Sequence, residues 1–452
     1  MNGLTEPFMI PYVLALGATP LQAGLLSSCR NLVLAGVQLL SPGLVRRAGS
    51  RRSLVLWTVA LQAALWLPLA LAQPLFGAGA VVAVIVGYTL GSASAMLGGP
   101  AWSSLVADYT PAGERGRQFG RRARLAGIAA TVAGLAAGGA LELNRGNAVS
   151  GFAVLCASAC LARLASFGAI TRFHDRGHVE EPHARFSFLQ FLRATPRSNF
   201  ARFTLCMSAN SLATHVAAPF FAVYLLERAG YSYAEYTLVM LGGSLTGMWV
   251  GPWWGKLGDR VGNQAVLRWT TVGVALLPAL WIVFDHPAWM LGANVAGAFL
   301  WGGLSLSATN FLYDAVTPAK RHACVAYFNV LNGLGVSAGA LAGGWIVAWA
   351  GSEGMAPFYA VFALSAALRL VSAWGFRRFV HEVRQVDRIE LRRLMGERLI
   401  GALGLAAGGR RFERRGPQRR ARAALGVHAT DASKSRAAES VADGGGKRAA
   451  NM

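Results

Sequence analysis

Charge is scarce in this 452-residue chain, and acid is scarcer than base. Only 14% of its residues are charged, 21 of them acidic and 43 basic, whereas a soluble domain carries about 25%. So little charge does not read as an ordinary water-soluble domain. Cysteine is sparse as well. Cys29, Cys156, Cys160, Cys206 and Cys324 are scattered in or beside apolar stretches, with no CxxC and no Cys/His cluster. That pattern argues against a metal site or a disulfide framework. No GxxxxGK[ST] loop occurs, so ATP does not power the chain directly, and no HExxH is present. The first residues carry no basic n-region, so no secretory signal is expected.

Apolar length is abundant. Hydrophobic residues make up 54% of the chain and the mean hydropathy is +0.41. Apolar stretches are predicted near 4–17, 19–42, 53–72, 77–105, 125–143, 148–170, 203–226, 235–254, 265–284, 288–312, 324–349 and 357–376, and all but the short first are long enough to cross a ~30 Å hydrocarbon core as a helix. These twelve runs are mostly long and do not alternate apolar with polar, which favours helices over a barrel. The formal net charge of +22 would suggest nucleic acid in a soluble protein, but its distribution points to the lipid bilayer instead. Arg51 and Arg52 follow span 2, Arg121 and Arg122 follow span 4, Arg172 and Arg193 follow span 6, Lys256 and Arg260 follow span 8, and Lys320 and Arg321 follow span 10. The intervening loops hold little that is basic beyond Arg145 and Arg228. Positive charge stays inside, so both termini are expected in the cytoplasm of a cell (inner) membrane protein that has no nucleic-acid partner.

The chain also contains itself twice. Pro7-Phe8 with Tyr12 returns as Pro219-Phe220 with Tyr224, an offset of 212 (219 − 7). Gly49 returns as Gly262 at 213, and Arg163 with Ser166 returns as Arg369 with Ser372 at 206. Duplicated hydrophobic halves in the same sense mark a transporter built from two related bundles. The expected organisation is a six-helix bundle over 1–171, a cytoplasmic loop over 172–201, a second bundle over 202–376, and a basic tail over 377–452 that is amphipathic and then disordered. Far fewer apolar residues precede Pro7 than precede Pro219, so the first helix reads as truncated, with a true start upstream of Met1.

The segment Gly255-Lys256-Leu257-Gly258-Asp259-Arg260-Val261-Gly262 resembles the loop motif G-x-L-x-D-R-x-G-R-K of the major facilitator superfamily, and it falls between spans 8 and 9. The first copy, between spans 2 and 3, has Pro42 for the first Gly and Arg46 for the Asp. The loops after spans 4 and 10, with Asp108 and Arg115 and with Asp314 and Arg321, are similar to the family's too. The resemblance covers about residues 1–376. It implies an all-α membrane fold of twelve helices in two pseudo-symmetric bundles. It also implies a cytoplasmic gate at Gly255, Asp259, Arg260, Gly262, Arg46, Asp108, Arg115, Asp314 and Arg321, with Asp108 a substitute partner for Arg46. Gly335, Gly339, Gly343 and Gly344 in span 11 resemble the family's antiporter motif with Ala340 in place of its Pro, and Gly134, Gly138 and Gly139 give a looser copy in span 5. Close helix packing through small residues accounts for the same pattern.

Ionisable residues within spans are costly and hence functional candidates. Glu6 lies ten residues before the outer end of span 1 (16 − 6), and Arg30 eleven residues into span 2 (30 − 19). Both are therefore roughly 15 Å down at 1.5 Å per residue, and a pair would lower the cost of each. His215 sits near the midplane of span 7. Since the family's spans 1, 4, 7 and 10 line its central cavity, the resemblance would set His215 facing Glu6. Arg163 and Arg369, at equivalent places in spans 6 and 12, are expected to share a structural role. The implied activity is secondary transport of a small organic molecule by alternating access, proton-coupled efflux or antiport, carried out by a non-enzymatic monomer without cofactor or metal. A facilitator or importer of a small metabolite, or a transport-inactive sensor or scaffold, remains the alternative.

Overall fold

A computed structural model describes residues 2–37, 47, 49–109, 115–175, 198–316, 318–351 and 354–383. Arg46, most of the central loop and the tail from residue 384 lie outside the described residues, and so do the side chains of Asp108, Arg115 and Arg321. Apart from a short helix Ala72–Phe76 and 3-10 turns Gly77–Gly79 and Arg145–Asn147, the described residues form twelve helical segments in two sets of six. The first, α1, is broken into a helical turn Asn2–Thr5, a 3-10 turn Glu6–Phe8 and a helix Met9–Ala15. Then follow α2 (Pro20–Val37), α3 (Arg51–Ala70), α4 (Ala80–Asp108), α5 (Arg115–Leu143) and α6 (Ala148–Ile170). The second set comprises α7 (Asn199–Ala217, continued by Phe220–Val223 and a π turn Tyr224–Arg228), α8 (Tyr233–Val261), α9 (Asn263–Val283), α10 (Pro287–Asp314), α11 (Pro318–Trp349) and α12 (Ala356–Phe379). Among the described residues, nine helices are long and apolar enough to cross a membrane; α1, α2 and α8 fall outside that set.

The repeated proline explains the repeated break. Proline has no N–H for the i−4 carbonyl, and its ring crowds that carbonyl. Pro7 accordingly sits in the 3-10 turn of α1, and Pro219 in the gap between the two helical stretches of α7. The repeated glycine has a backbone reason as well. Gly49 and Gly262 have φ of +74° and +89°, a left-handed conformation that residues with a Cβ rarely adopt. Each lets the chain reverse before α3 or α9. One expectation changes here. The segment Gly255–Val261 is not loop but the last two turns of α8, and Gly262 alone makes the turn into α9. With a left-handed glycine available, one residue suffices.

The halves meet along two helix pairs. α2 lies against α11, where Ser28 Oγ donates to the Ser337 carbonyl at 3.0 Å and Ser337 Oγ donates back to the Ser28 carbonyl at 2.9 Å. A Cβ on Gly24 would stand 2.8 Å from the Ala340 carbonyl oxygen, so these backbones approach as closely as glycine permits. α5 meets α8 through Gly134 beside Leu241 and Gly138 beside Thr237. The hydrophobic cores are arranged asymmetrically along the bundle. At the arginine-poor end one buried cluster joins both halves, with Phe8, Tyr12 and Phe152 packed together with Phe220, Tyr224 and Phe358. Toward the arginine-rich end each half has a core of its own: Leu54, Val55, Val59, Ala101 and Ile170 in the first, and Phe200, Phe203, Leu267, Phe311 and Phe376 in the second. Among the described residues, then, the buried cluster shared by both halves lies at one end and the clusters toward the other end stay within one half, although α2 packs on α11 as far as Ala35 beside Gly333.

Candidate functional site

The helices of the first half enclose a cavity of about 260 Å³. Thr5 and Glu6 enter from the break in α1, Arg30 from α2, Gln62 and Trp66 from α3, Tyr88 and Ser92 from α4, and Arg163 from α6. Because Pro7 interrupts α1 here, Glu6 lies on a 3-10 turn and not within a regular helix. Its Oε1 accepts from Arg30 Nη2 at 3.0 Å. Arg30 also donates through Nε to Ser92 Oγ at 3.1 Å, and its guanidinium carbon lies 5.5 Å from the centre of the Tyr88 ring. The guanidinium is thus held by three partners, while the carboxylate, with 53% of its side chain exposed, opens to the cavity. An accessible carboxylate beside a fixed cation can exchange a proton or accept hydrogen bonds from a solute.

Gln62 is, with Thr5, Trp66 and Ser92, a member of this site that the sequence did not flag. It is 3% exposed, lines the cavity, and has a carboxamide oxygen without a hydrogen-bond partner among the described residues. The available signal was a lone amide in the apolar run of α3, since polar groups inside a membrane are expensive.

His215 does not join Glu6. Its Nδ1 lies 2.9 Å from the Ser211 carbonyl one turn earlier on α7, and it is absent from the lining of the cavity. Glu6 turns toward Arg30 in its own half and His215 bonds along its own helix, so among the described residues no hydrogen bond and no shared cavity joins the two. The repeated arginines also part company. Arg369, 2% exposed, donates to the carbonyls of Val274 at 3.1 Å and Thr214 at 3.4 Å, tying α12 to α9 and α7. Arg163 lines the Glu6 cavity. A second cavity, about 320 Å³, lies in the other half between α7, α10 and α11. Met207, Tyr313, Phe328 and Asn329 are among its lining residues, and no charged side chain is.

At the arginine-rich end, Asp259 and Arg260 are solvent-exposed on the last turn of α8, and Asp314 Oδ2 accepts from Asn263 Nδ2 at 3.0 Å. A more extensive network joins α3, α4 and the chain after α6. Asp175 accepts from the Arg51 backbone N–H at 2.8 Å and from Arg51 Nη2 at 2.7 Å, while Arg51 Nη1 donates to Ser104 Oγ at 2.8 Å. Burial pushes the Asp175 carboxyl up, but the hydrogen bonds and charge of Arg51, with the Arg52 N–H, outweigh it and hold the group below its ordinary value. At the arginine-poor end the halves are latched. Tyr236 donates to the Pro7 carbonyl at 2.7 Å, and Glu142, itself 3.0 Å from Arg145, accepts from the Ala234 N–H at 3.1 Å.

The antiporter-like glycines act at close packing points. A Cβ on Gly335, Gly339 or Gly343 would collide with the α7 backbone at Ser208, Leu212 or Val216. Gly344 faces Leu21 of α2, Gly138 faces Thr237, and Gly139 faces open space. Among the described residues no group of His, Cys, Asp and Glu could hold a metal.

Comparison with known proteins gives concordant results. Residues 203–412 match the family model described as Major Facilitator Superfamily. A stretch of 127 residues is 29% identical to the tetracycline resistance protein, class B, of Escherichia coli, covering 28% of this chain and 30% of that protein. The match therefore spans under a third of that relative's length. Among solved structures, a variant of the nucleoside transporter NupG superposes with a TM-score of 0.66 at 15% identity, covering 84% of this chain and 96% of that one. A bacterial homologue of the iron transporter ferroportin in its inward-facing state gives 0.65 at 14% identity, with 84% and 95% covered. At these identities the structural likeness speaks to the fold.

Proposed function

We propose that this chain, which belongs to the major facilitator superfamily and is a secondary transporter of that fold, exports a small organic solute in exchange for protons. The carrying observation is the cavity of the first half, where Glu6 stands in an open space beside Arg30, itself held by Ser92 and Tyr88. Glu6 is the proton-carrying group in this reading, and Arg30 positions it. Export is supported by the relative named for resistance to an organic drug. The second cavity, bare of charge, suits the apolar body of a solute but not its exchange for protons.

The arginine-rich end is taken as cytoplasmic, since cationic loops are retained on that side of an inner membrane. The shared core and the Tyr236–Pro7 and Glu142–Ala234 latches then close the outer end, while the separate cores let the halves part at the inner end. The conformer is inward-facing. Asp259 and Arg260 lie exposed on the last turn of α8, at the end that closes in the opposite conformer.

The test is pH-gradient-driven flux in inverted membrane vesicles. Tetracycline is the first solute, with fluorescence of a trapped pH dye read in parallel. Wild-type protein should concentrate solute while dissipating the gradient, and Glu6→Gln should lose both. Solute accumulation that leaves the proton gradient untouched would remove the coupling.

A further inference from the structure

We propose that Gln62 is a solute-recognition residue: its buried carboxamide oxygen accepts a hydrogen bond from a hydroxyl or amide N–H of a neutral, donor-bearing organic solute in the cavity of the first half, alongside the Glu6 carboxylate. The proposal rests on the reading of that cavity as the site where solute and proton meet.

The donors and acceptors around the cavity are unevenly spent. Arg30 is engaged by Glu6 and Ser92, with Tyr88 beneath its guanidinium. On the acceptor side, Gln62 Oε1 has no partner, and Glu6 accepts from Arg30 through Oε1 alone among the described residues. A buried carbonyl oxygen left without a donor is costly. The residue lines the cavity, and a half-turn of its carboxamide, whose oxygen and nitrogen are interchangeable in position, brings the oxygen to a donor there.

Charge selects the kind of donor. A cationic solute would meet Arg30 and Arg163, and an anionic one would compete with Glu6 for Arg30. A neutral molecule with hydroxyl or amide donors meets neither objection. The walls contributed by Leu65, Trp66, Leu69 and Tyr88 suit a flat, partly aromatic body. The arrangement also gives exchange its sign. A protonated Glu6 carboxyl becomes a donor and loses an acceptor position. Proton and solute then oppose one another at the site, and that opposition is reciprocal.

The experiment is calorimetric titration of the full chain in lipid nanodiscs with two matched probes, 2,3-dihydroxynaphthalene and its dimethyl ether, which share a body and differ in donors. The diol should bind wild-type protein about tenfold more tightly than the ether, the scale of a buried hydrogen bond. Gln62→Met, similar in length but without the oxygen, should remove most of that preference and leave the ether unchanged; Gln62→Asn should keep part of it. Equal binding of diol and ether by wild type, or an unchanged diol affinity in Gln62→Met, would overturn the role of Gln62, its oxygen then holding only water. Binding of neither probe by wild type would overturn it together with the reading of the cavity as a solute site. Should Gln62→Met fail to fold, the diol-to-ether ratio in wild type and Gln62→Asn decides.

Discussion

The Asp175 carboxylate holds Arg51 at two points, accepting from its backbone N–H at 2.8 Å and from its guanidinium Nη2 at 2.7 Å. The second half repeats the backbone part of this contact. Glu382 accepts from the Gln264 N–H at 2.8 Å, at offsets of 207 (382 − 175) and 213 (264 − 51) within the repeat. In each half, then, a carboxylate just after the sixth helix caps the start of the third. An acid suits that place, because the first N–H groups of a helix have no intrahelical acceptor and carry the positive end of its dipole. The effect is to bind helices within each half at the end where the halves have separate cores, so that each half can move as one body.

Removing the charge should therefore loosen the first half. Arg51 is 4% exposed, and its partner's loss would leave a buried guanidinium short of an acceptor. Asp175→Asn is expected to cost about 2–3 kcal/mol, toward the lower side of a broken buried pair because the amide can still accept. Thermal melting in detergent reads the loss. The pH dependence has a definite sign. Because the folded carboxyl titrates below its ordinary 3.8, its contribution is fully present above that value and is lost as pH falls through the lower folded value. The melting temperatures of wild type and Asp175→Asn should converge on acidification below about pH 4; a constant gap would contradict the assignment.

The twelve helices and the twofold plan were legible because lipid leaves the backbone few alternatives, and because Pro7/Pro219 and Gly49/Gly262 impose the same break and the same turn in both halves. The site was legible only in part. Glu6 and Arg30 could be paired from depth alone, being charged residues at matching levels of adjacent helices. His215 could not be assigned, because depth does not say which way a side chain turns. Arg163 and Arg369 share their sequence context yet differ in surroundings: the repeat counterpart of Glu6 in the second half is Ala218 (6 + 212), so the carboxylate in the cavity that Arg163 lines has no equivalent in the second half. Asp175 and Glu382 went unnoticed because capping depends on where a chain returns in space, and no local pattern announces that.

The glycines of α5 give a paired test. Gly138 lies against Thr237 across the interface between halves, whereas Gly139 has nothing near it. Gly138→Ala should push α5 from α8 and cost about 1–3 kcal/mol as overpacking. Gly139→Ala should be neutral, or stabilising by up to ~1 kcal/mol from helix propensity. Chemical denaturation followed by helical ellipticity distinguishes them, and equal effects would show that the interface does not depend on that approach.

The Glu142–Ala234 bond should hold the outer end shut. Glu142 is partly exposed, so its charged hydrogen bond is worth roughly 1 kcal/mol. Glu142→Ala should then raise the outward-open population about fivefold. Cys29, packed at the edge of the shared core, serves as the reporter once the other four cysteines are replaced by Ser. Labelling by a membrane-impermeant maleimide from the outer side should accelerate by the same factor, and an unchanged rate would show that the aromatic core alone sets the closure.

The decisive question at the main site is whether the Glu6–Arg30 pair moves a proton or merely joins α1 to α2. Both roles predict that either single loss is harmful: Arg30→Gln leaves a carboxylate without its cation, and Glu6→Gln leaves a guanidinium with only Ser92 and Tyr88. The double variant separates them, because removing both charges relieves the uncompensated one and exposes whatever the pair does beyond mutual neutralisation. For a structural pair, Glu6→Gln/Arg30→Gln should recover melting temperature and pH-driven transport together. For a proton-carrying Glu6, the double variant should recover melting temperature and downhill solute exchange while uphill, pH-driven accumulation stays absent, since no group remains at the site to take the proton. We expect the second outcome. Glu6 is half exposed to a cavity, and a side chain serving only to join two helices has no need of that access.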